Sequence, residues 1–414
     1  MSAPEYQEMF RVFGRIGLLS FGGPAAQIAL MHRVLVDEQR WLKEQDYLRA
    51  LSLCMLLPGP EAMQLATYTG WRMRGVPGGL LAGVLFVLPG ALVILALALG
   101  YAVYGQVPLV QAAFTGVKAA VVVIVLQALH KVARRSLRSP VAWTLALLAF
   151  LGLFLLGLPF PIIVIAAGIW GYATATGTAP ADTPPPQNPQ SLRTLLIWGA
   201  LWLLPVACLL ALDQPFLSDV ALFFSKLAIV TFGGAYAVLA WMTQAVVTDF
   251  GWISTEQMID ALGLAETTPG PLILVTEFVA LLAGYAQGGL PMALAAGAVA
   301  LWVTFTPCFL WIFLAGPYLD VISARPRLAA ALEAITAAVV GVILNLAVWF
   351  AIHVIFSHVE TDRFLAAPLP VPASVDPVAV LLTTLAATLM LVLRPGILPT
   401  LVLMALCGLL TSLF

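Results

Sequence analysis

The tripeptide Pro58-Gly59-Pro60 recurs 211 positions later as Pro269-Gly270-Pro271, and it does not recur alone. In the same register, without a gap, Phe21-Gly22-Gly23 falls on Phe232-Gly233-Gly234 and Trp41 falls on Trp252. From Ile16 to Pro60, 14 of 45 positions are identical to their partners between Leu227 and Pro271. Shared hydrophobicity can supply matching Ala and Leu residues, but not three motifs at fixed spacing. The chain therefore carries a duplicated unit, and its fold must accommodate two copies of the same broken segment.

The repeated tip has a direct physical reading. A helix arriving through Leu53 to Leu57 stops at Pro58, which lacks the helical N–H and clashes with the preceding turn. Gly59 permits backbone angles closed to other residues. Pro60 then presets φ for a new helix, and Glu61 sits well beside its positive end. The expectation is a hairpin of helix, sharp break and helix, with backbone N–H groups exposed at its tip. Gln64, Thr67 and Tyr68 follow Glu61 at helical spacing and offer neutral hydrogen bonds.

With 62% hydrophobic and 9% charged residues, and a mean hydropathy of +1.01, the chain reads as an all-α polytopic membrane protein. Runs of about 20 apolar residues recur along it, and the short alternating segments of a β-barrel do not. The lipid bilayer is the expected surround, and the net charge of −1 gives no reason to expect a nucleic acid partner. Cys54, Cys208, Cys308 and Cys407 are scattered singly, which argues against a disulfide framework or a metal site. His353 and His358 near Asp362 read as an exposed loop rather than a metal trio. Glu5 and Glu8 stand where a cleaved leader would be basic and then apolar, so no signal peptide is expected.

The chain divides into a first repeat over 1–177, a Pro-rich linker and connecting transmembrane helix over 178–215, and a second repeat over 216–414. Residues 1–15 read as an amphipathic lead-in at the membrane surface. In the first repeat, the broken segment and the hairpin precede four spans: Pro77–Tyr104, Pro108–Lys131, Pro140–Gly157 and Phe160–Thr176. The second repeat keeps that order, with spans near 290–315, 328–356, 376–393 and 396–413. Under the positive-inside rule, all of the 19 Lys and Arg residues except Lys118, Lys226 and Arg363 fall on the cytoplasmic side if the second repeat is upside down. The span over Arg193–Leu212 supplies the odd crossing. The N-terminus is then cytoplasmic and the C-terminus periplasmic, whether the hairpin arms span the membrane or are re-entrant.

Two inverted-topology repeats with broken helices and Pro-Gly-Pro hairpins are the design of secondary transporters, in which units rock about a central site. Irregular backbone at membrane depth persists only where it is buried in protein or lines an aqueous cavity. Half-helix N-termini favour an anion there. The substrate-binding candidates are accordingly Phe21, Gly22, Gly23 and Pro24; Pro58, Gly59, Pro60 and Gln64; Phe232, Gly233 and Gly234; and Thr267, Thr268, Pro269, Gly270 and Pro271. The bland alternative for each Gly-Gly pair is close helix packing, and for each Pro-Gly-Pro a tight loop.

Lys118 stands well inside its span and is a candidate cation for the bound anion, the alternative being a structural ion pair with Glu333. Glu61 and Glu266 flank the tips at non-equivalent places and are candidate proton carriers, because surroundings set where such carboxyl groups titrate. The motifs of zinc hydrolases, serine hydrolases and phosphate-binding loops are absent, so neither enzymatic hydrolysis nor ATP use has residues to carry it. No cofactor is expected.

Phe21-Gly22-Gly23-Pro24, Leu56-Leu57-Pro58-Gly59-Pro60 with Gln64-Leu65-Ala66 and Tyr68, and Ala265-Glu266-Thr267-Thr268-Pro269-Gly270-Pro271-Leu272 resemble the chromate ion transporter family. The resemblance covers essentially the whole chain as two fused family domains. It implies a bacterial inner-membrane carrier that exports chromate, a tetrahedral dianion like sulfate, under the proton-motive force, and so confers chromate resistance. The implied partners are a chromate or sulfate-like oxyanion and protons, with a homodimer as one permitted assembly. A carrier of sulfate or another oxyanion, an uncoupled anion channel on the same pocket, and a scaffold or sensor without transport are the competing readings.

Overall fold

In the computed structural model the described residues are 4–176, 191–232, 234–319, 322, 325–361 and 367–412. They form fifteen α-helices and one two-stranded hairpin. In the first half these are α1 (Tyr6–Leu19), α2 (Gly23–His32), α3 (Glu44–Leu56), α4 (Glu61–Tyr104), α5 (Pro108–Ser136), α6 (Pro140–Phe154) and α7 (Phe160–Thr174). Helix α8 (Ser191–Ala211) follows, the linker before it lying largely outside the described residues. Then come α9 (Pro215–Val230), α10 (Ala235–Gln244), α11 (Thr255–Glu266), α12 (Val275–Ala315), α13 (Pro326–Ile355), α14 (Pro377–Thr388) and α15 (Ile397–Thr411). Strands β1 (Val359–Thr361) and β2 (Pro368–Pro370) pair antiparallel in the connection after α13.

Local signals account for most helix ends. Proline opens α5, α6, α9 and α14, where its missing N–H costs nothing. Ser139 and Asp376 cap α6 and α14 through their side chains, and Ser254 with Gln257 forms a reciprocal capping box on α11. Helices α4 and α12 are each folded in two at matching points. Arg74–Gly75 breaks α4 and Gly288–Gly289 breaks α12, with φ, ψ of 63°, −158° at Gly75 and 65°, −157° at Gly289. Only glycine takes those angles without strain. The second arm of each Pro-Gly-Pro hairpin therefore turns directly into the following span.

Glu61–Tyr104, Pro108–Ser136, Ser191–Ala211, Leu272–Tyr318 and Pro326–Ile355 are long and apolar enough to cross a membrane. Four shorter apolar segments, Pro140–Phe154, Phe160–Thr174, Pro377–Leu393 and Ile397–Thr411, accompany them. The two shorter helices of the first half have 15 residues each. Such a helix rises about 22 Å, less than the hydrocarbon thickness of about 30 Å. The residues expected to extend α6, Leu155 to Gly157, instead leave the helix, Gly157 with φ +60° and Pro159 beyond it. Helix α1 starts at Tyr6, within the expected lead-in over 1–15, runs on to Leu19 and buries Met9, Phe13 and Ile16 along one face.

The chain packs into two compact units, each drawing on both halves of the sequence. One comprises Met1–Leu97, Thr174–Ala235 and Thr268–Ala330; in it α12 packs on α8 and α9. The other comprises Ala98–Ala173, Tyr236–Thr267 and Ala331–Phe414, and its core sets α5 against α14 and α15. Ala119, Ala120, Val123 and Ile124 of α5 meet Leu382, Ala386, Leu401 and Met404 there. Gly116 and Gly408 bring the α5 and α15 backbones so close that a methyl group on Gly116 would lie 1.7 Å from the Met404 carbonyl oxygen. Small residues at such crossings let apolar helices gain dispersion contacts that lipid would otherwise supply.

Candidate functional site

The first unit holds both helix breaks and both tips. Helix α1 ends at Leu19, where the Ser20 hydroxyl donates to the Ile16 carbonyl at 2.6 Å and Phe21 N donates to Leu19 O at 2.9 Å. Displaced by 211 residues, the Thr231 hydroxyl donates to Leu227 O at 2.6 Å and Phe232 N donates to Val230 O at 2.9 Å. Past the breaks, Gly22 and Gly23 have φ of 84° and 76°, and Gly234 has φ of 100°. Pro24 stands in the first turn of α2. Gly233 lies outside the described residues.

The tips match as closely. Gly59 and Gly270 have φ of 123° and 90°. Gly59 N donates to Thr231 O at 2.8 Å, and Gly270 N donates to Ser20 O at 2.9 Å. Each tip is thus bonded to the break of the other half. This corrects the expectation that these two N–H groups are exposed. Backbone donors withdrawn from water must find acceptors, and the carbonyls left over at the ends of α1 and α9 provide them. The donors without an acceptor inside the helix are those of the first turn of α4, among them Ala62 and Met63.

The side chains break the symmetry that the backbone keeps. Gln27 donates through Nε2 to Gly270 O at 2.6 Å and to Ser20 O at 3.2 Å, stapling the second tip to the first break. Its counterpart is Val238. Gln64 Nε2 donates to Pro58 O at 2.7 Å, and its buried Oε1 has no hydrogen-bond partner. Its counterpart is Val275. Glu61 lies against the second break: a Cβ placed on Gly234 would be 3.7 Å from Glu61 Oε1. Thr268 is buried beside the second tip. Neither Gln27 nor the buried Glu277, whose Oε2 has no hydrogen-bond partner, was singled out from the sequence. The available signal was a lone polar residue in an apolar half-helix.

The remaining candidates belong to the second unit. Glu266 accepts a hydrogen bond from the Tyr236 hydroxyl, and the Thr267 hydroxyl donates back to Leu264 O at 2.7 Å. Lys118 is part of a separate cluster on α5 and α11. Its Nζ lies 3.4 Å from Glu256 Oε2 and 4.0 Å from Asp260 Oδ1. Tyr101 donates to Asp260 Oδ2 at 2.6 Å. The ion pair considered with Glu333 gives way to these two carboxylates, because α11 rather than α13 presents acidic side chains to this face of α5. His353 Nδ1 is 2.8 Å from Trp349 O, and Asp362 lies outside the described residues.

Long apolar helices, interrupted by paired breaks and reciprocally bonded tips, define a multi-pass, all-α membrane protein of the kind that moves solutes rather than transforms them. The profile described as chromate transporter matches residues 7–172 and 218–412, and the chain belongs to that family, one of transport proteins and not of enzymes. It is 33% identical to the chromate transport protein of Cupriavidus metallidurans over 83% of this chain and 82% of that one. It is 34% identical to the chromate transport protein of Pseudomonas aeruginosa, over 82% and 79% of the two chains. A probable chromate transport protein of Synechococcus elongatus is 31% identical over 81% and 82%. No solved structure matches the chain.

Proposed function

We propose that this protein is a secondary carrier that exports chromate across the bacterial inner membrane by alternating access, with the paired breaks and tips lining the substrate path. The observation that carries the reading is the reciprocal pair of bonds, Gly59 to Thr231 and Gly270 to Ser20, which couples each half's tip to the other half's break. Such a pair can be exchanged or sheared as the halves rock, and it sits where half-helices end. The 13 residues of α3 and the 12 of α11 rise about 20 Å or less, so each tip stops within membrane depth. A dianion there would meet first-turn N–H groups of α4 and the second N–H of Gln64 Nε2, whose first is given to Pro58 O, donors that bind tetrahedral oxyanions without a permanent cation.

Relatives named as chromate transport proteins support chromate as the substrate. Export and proton coupling rest on the family resemblance, and Glu61 and Glu266 stand where a proton would change the charge beside a tip. Saturable chromate uptake into inside-out vesicles, driven by a pH gradient and competed by sulfate and molybdate, is the expected result. Conductance that follows the Nernst potential without coupling would make the protein a channel, and uptake of sulfate alone would change the substrate.

The proposed orientation places the N-terminus in the cytoplasm and the second repeat upside down. Cysteines introduced at Ser254 and Ser136, in a background lacking Cys54, Cys208, Cys308 and Cys407, give the test. External reagent should label position 254 and spare 136; equal labelling sinks the inverted arrangement.

A further inference from the structure

A carboxylate, a lysine and a phenol lie together inside the second unit, and the transport path described above does not use them. Asp260 is almost fully buried, one oxygen bonded to Tyr101 and the other, Oδ1, without a hydrogen-bond partner. Lys118 Nζ lies 4.0 Å from that oxygen and 3.4 Å from Glu256. Glu256 and Asp260 are four residues apart on α11 and so share a face. Their exposures differ: the Glu256 side chain is 76% exposed, that of Asp260 5%. Exposure thus falls from Glu256 through Lys118, at 20%, to Asp260, whose other oxygen is held by the half-buried Tyr101 phenol. The two carboxylates have no counterpart on α3, where Gln45 stands at the place of Glu256 and the exposed Arg49 at that of Asp260.

We propose that Asp260 is the proton-binding group of the transport cycle, with Glu256 as its entry from water and Lys118 and Tyr101 as positioning residues. The proposal rests on the carrier reading and names its coupling site. A buried carboxylate with an unpartnered oxygen is costly to keep charged and must be paired or neutralised. Lys118 meets part of that cost without closing the site, because at 4.0 Å it leaves Oδ1 able to take a proton. The step is a simple transfer: a proton taken from water at Glu256 moves to Asp260 Oδ1, giving the neutral acid, while Lys118 remains an ammonium and Tyr101 keeps its own proton. The groups facing Asp260 are Tyr101 from the end of α4, Lys118 from α5 and Glu256 from its own helix. The third helix packed on α11 is α15, whose one ionisable side chain is Cys407. Glu266, at the far end of α11, is engaged by Tyr236.

The test uses full-length protein in proteoliposomes and two assays on the same vesicles: accumulation of chromate driven by a pH gradient, and chromate–chromate exchange with no gradient. Asp260→Asn should abolish accumulation above equilibrium while keeping exchange within about threefold of wild type, a change worth under 1 kcal/mol. Tyr101→Phe should keep both activities and move the midpoint of the pH profile. Accumulation by Asp260→Asn at the wild-type level overturns the proposal. If Asp260→Asn loses exchange as well, Tyr101→Phe decides: a shifted profile sustains the assignment, an unshifted one overturns it. A wild-type protein that fails to move chromate counts against the substrate reading only, and the same pair of assays with sulfate or molybdate then decides the coupling site.

Discussion

The two Pro-Gly-Pro tips have almost the same backbone and very different side chains. Turn angles, tip-to-break bonds and the hydroxyl folded back on its own helix all repeat at a spacing of 211 residues. The wide turn after the broken segment repeats too, Trp41 N to Leu35 O at 2.9 Å and Trp252 N to Val246 O at 2.8 Å. Yet Gln27, Glu61 and Gln64 face Val238, Leu272 and Val275 at the equivalent places, and Glu266 and Glu277 face Met55 and Ala66. We propose a division of labour in the carrier: the shared backbone makes a frame that both halves need, and the unshared side chains set what the frame binds.

The largest effects should come from changes that break the frame, and transport should be lost whichever half carries them. Gly59→Leu and Gly270→Leu each force a branched side chain into positive φ, a strain of about 1–3 kcal/mol before contacts are counted. Contacts make Gly59 worse, since its Cβ would lie 2.8 Å from Gln64 Nε2 and 2.9 Å from Cys308 Sγ. Gly90→Ala attacks the second tip from below, its methyl 2.2 Å from the Pro269 carbonyl oxygen. All three should reach the membrane and lose transport. Loss in one half only would make the repeat structural rather than functional.

Next in size is the Lys118 cluster, which joins Tyr101 and Lys118 of the first half to Glu256 and Asp260 of the second and has no copy at the equivalent places of α3, where Gln45 and Arg49 stand. Lys118→Met leaves Asp260 buried without its cation, a loss of about 3–5 kcal/mol where such pairs are fully enclosed and less here, because Glu256 reaches solvent. Thermal unfolding in detergent should show the loss, and adding Asp260→Asn should restore much of it. Unchanged stability in Lys118→Met would mean the pair carries no energy.

Gln27→Met should cost about 1–3 kcal/mol, because it leaves the Gly270 carbonyl without the amide that satisfies it. Val238 has no such bond to lose, so the second half should be insensitive at that position. The smallest effect concerns charge. Glu61→Gln removes a negative charge beside the second break and should tighten chromate binding by about tenfold, or 1.4 kcal/mol. Glu266→Gln should do less, its carboxylate being tied to Tyr236. Equal shifts from both would return the tips to functional symmetry.

Much of the frame was legible before the structure, because its signals are local. Proline, glycine and the 211-residue register mark both breaks, and apolar runs mark the spans to within a few residues. What docks on what was not legible. Gly59 and Thr231 are joined across most of the first half and the linker, and no pattern near either residue names the other. Lys118 announced itself as an intramembrane charge, but its partners on α11 follow from packing rather than spacing. The compact units mix both halves for the same reason, since the contacts that define them are long in sequence.

One measurement tests the docked tips most directly: chromate uptake by purified protein in proteoliposomes, wild type beside Gly59→Leu and Gly270→Leu at matched incorporation. Reciprocal docking of the tips as the substrate frame predicts saturable uptake by the wild type, competed by other tetrahedral oxyanions, and none above background in either variant. Normal saturable uptake in both variants would contradict it, since the frame would then not be part of the path.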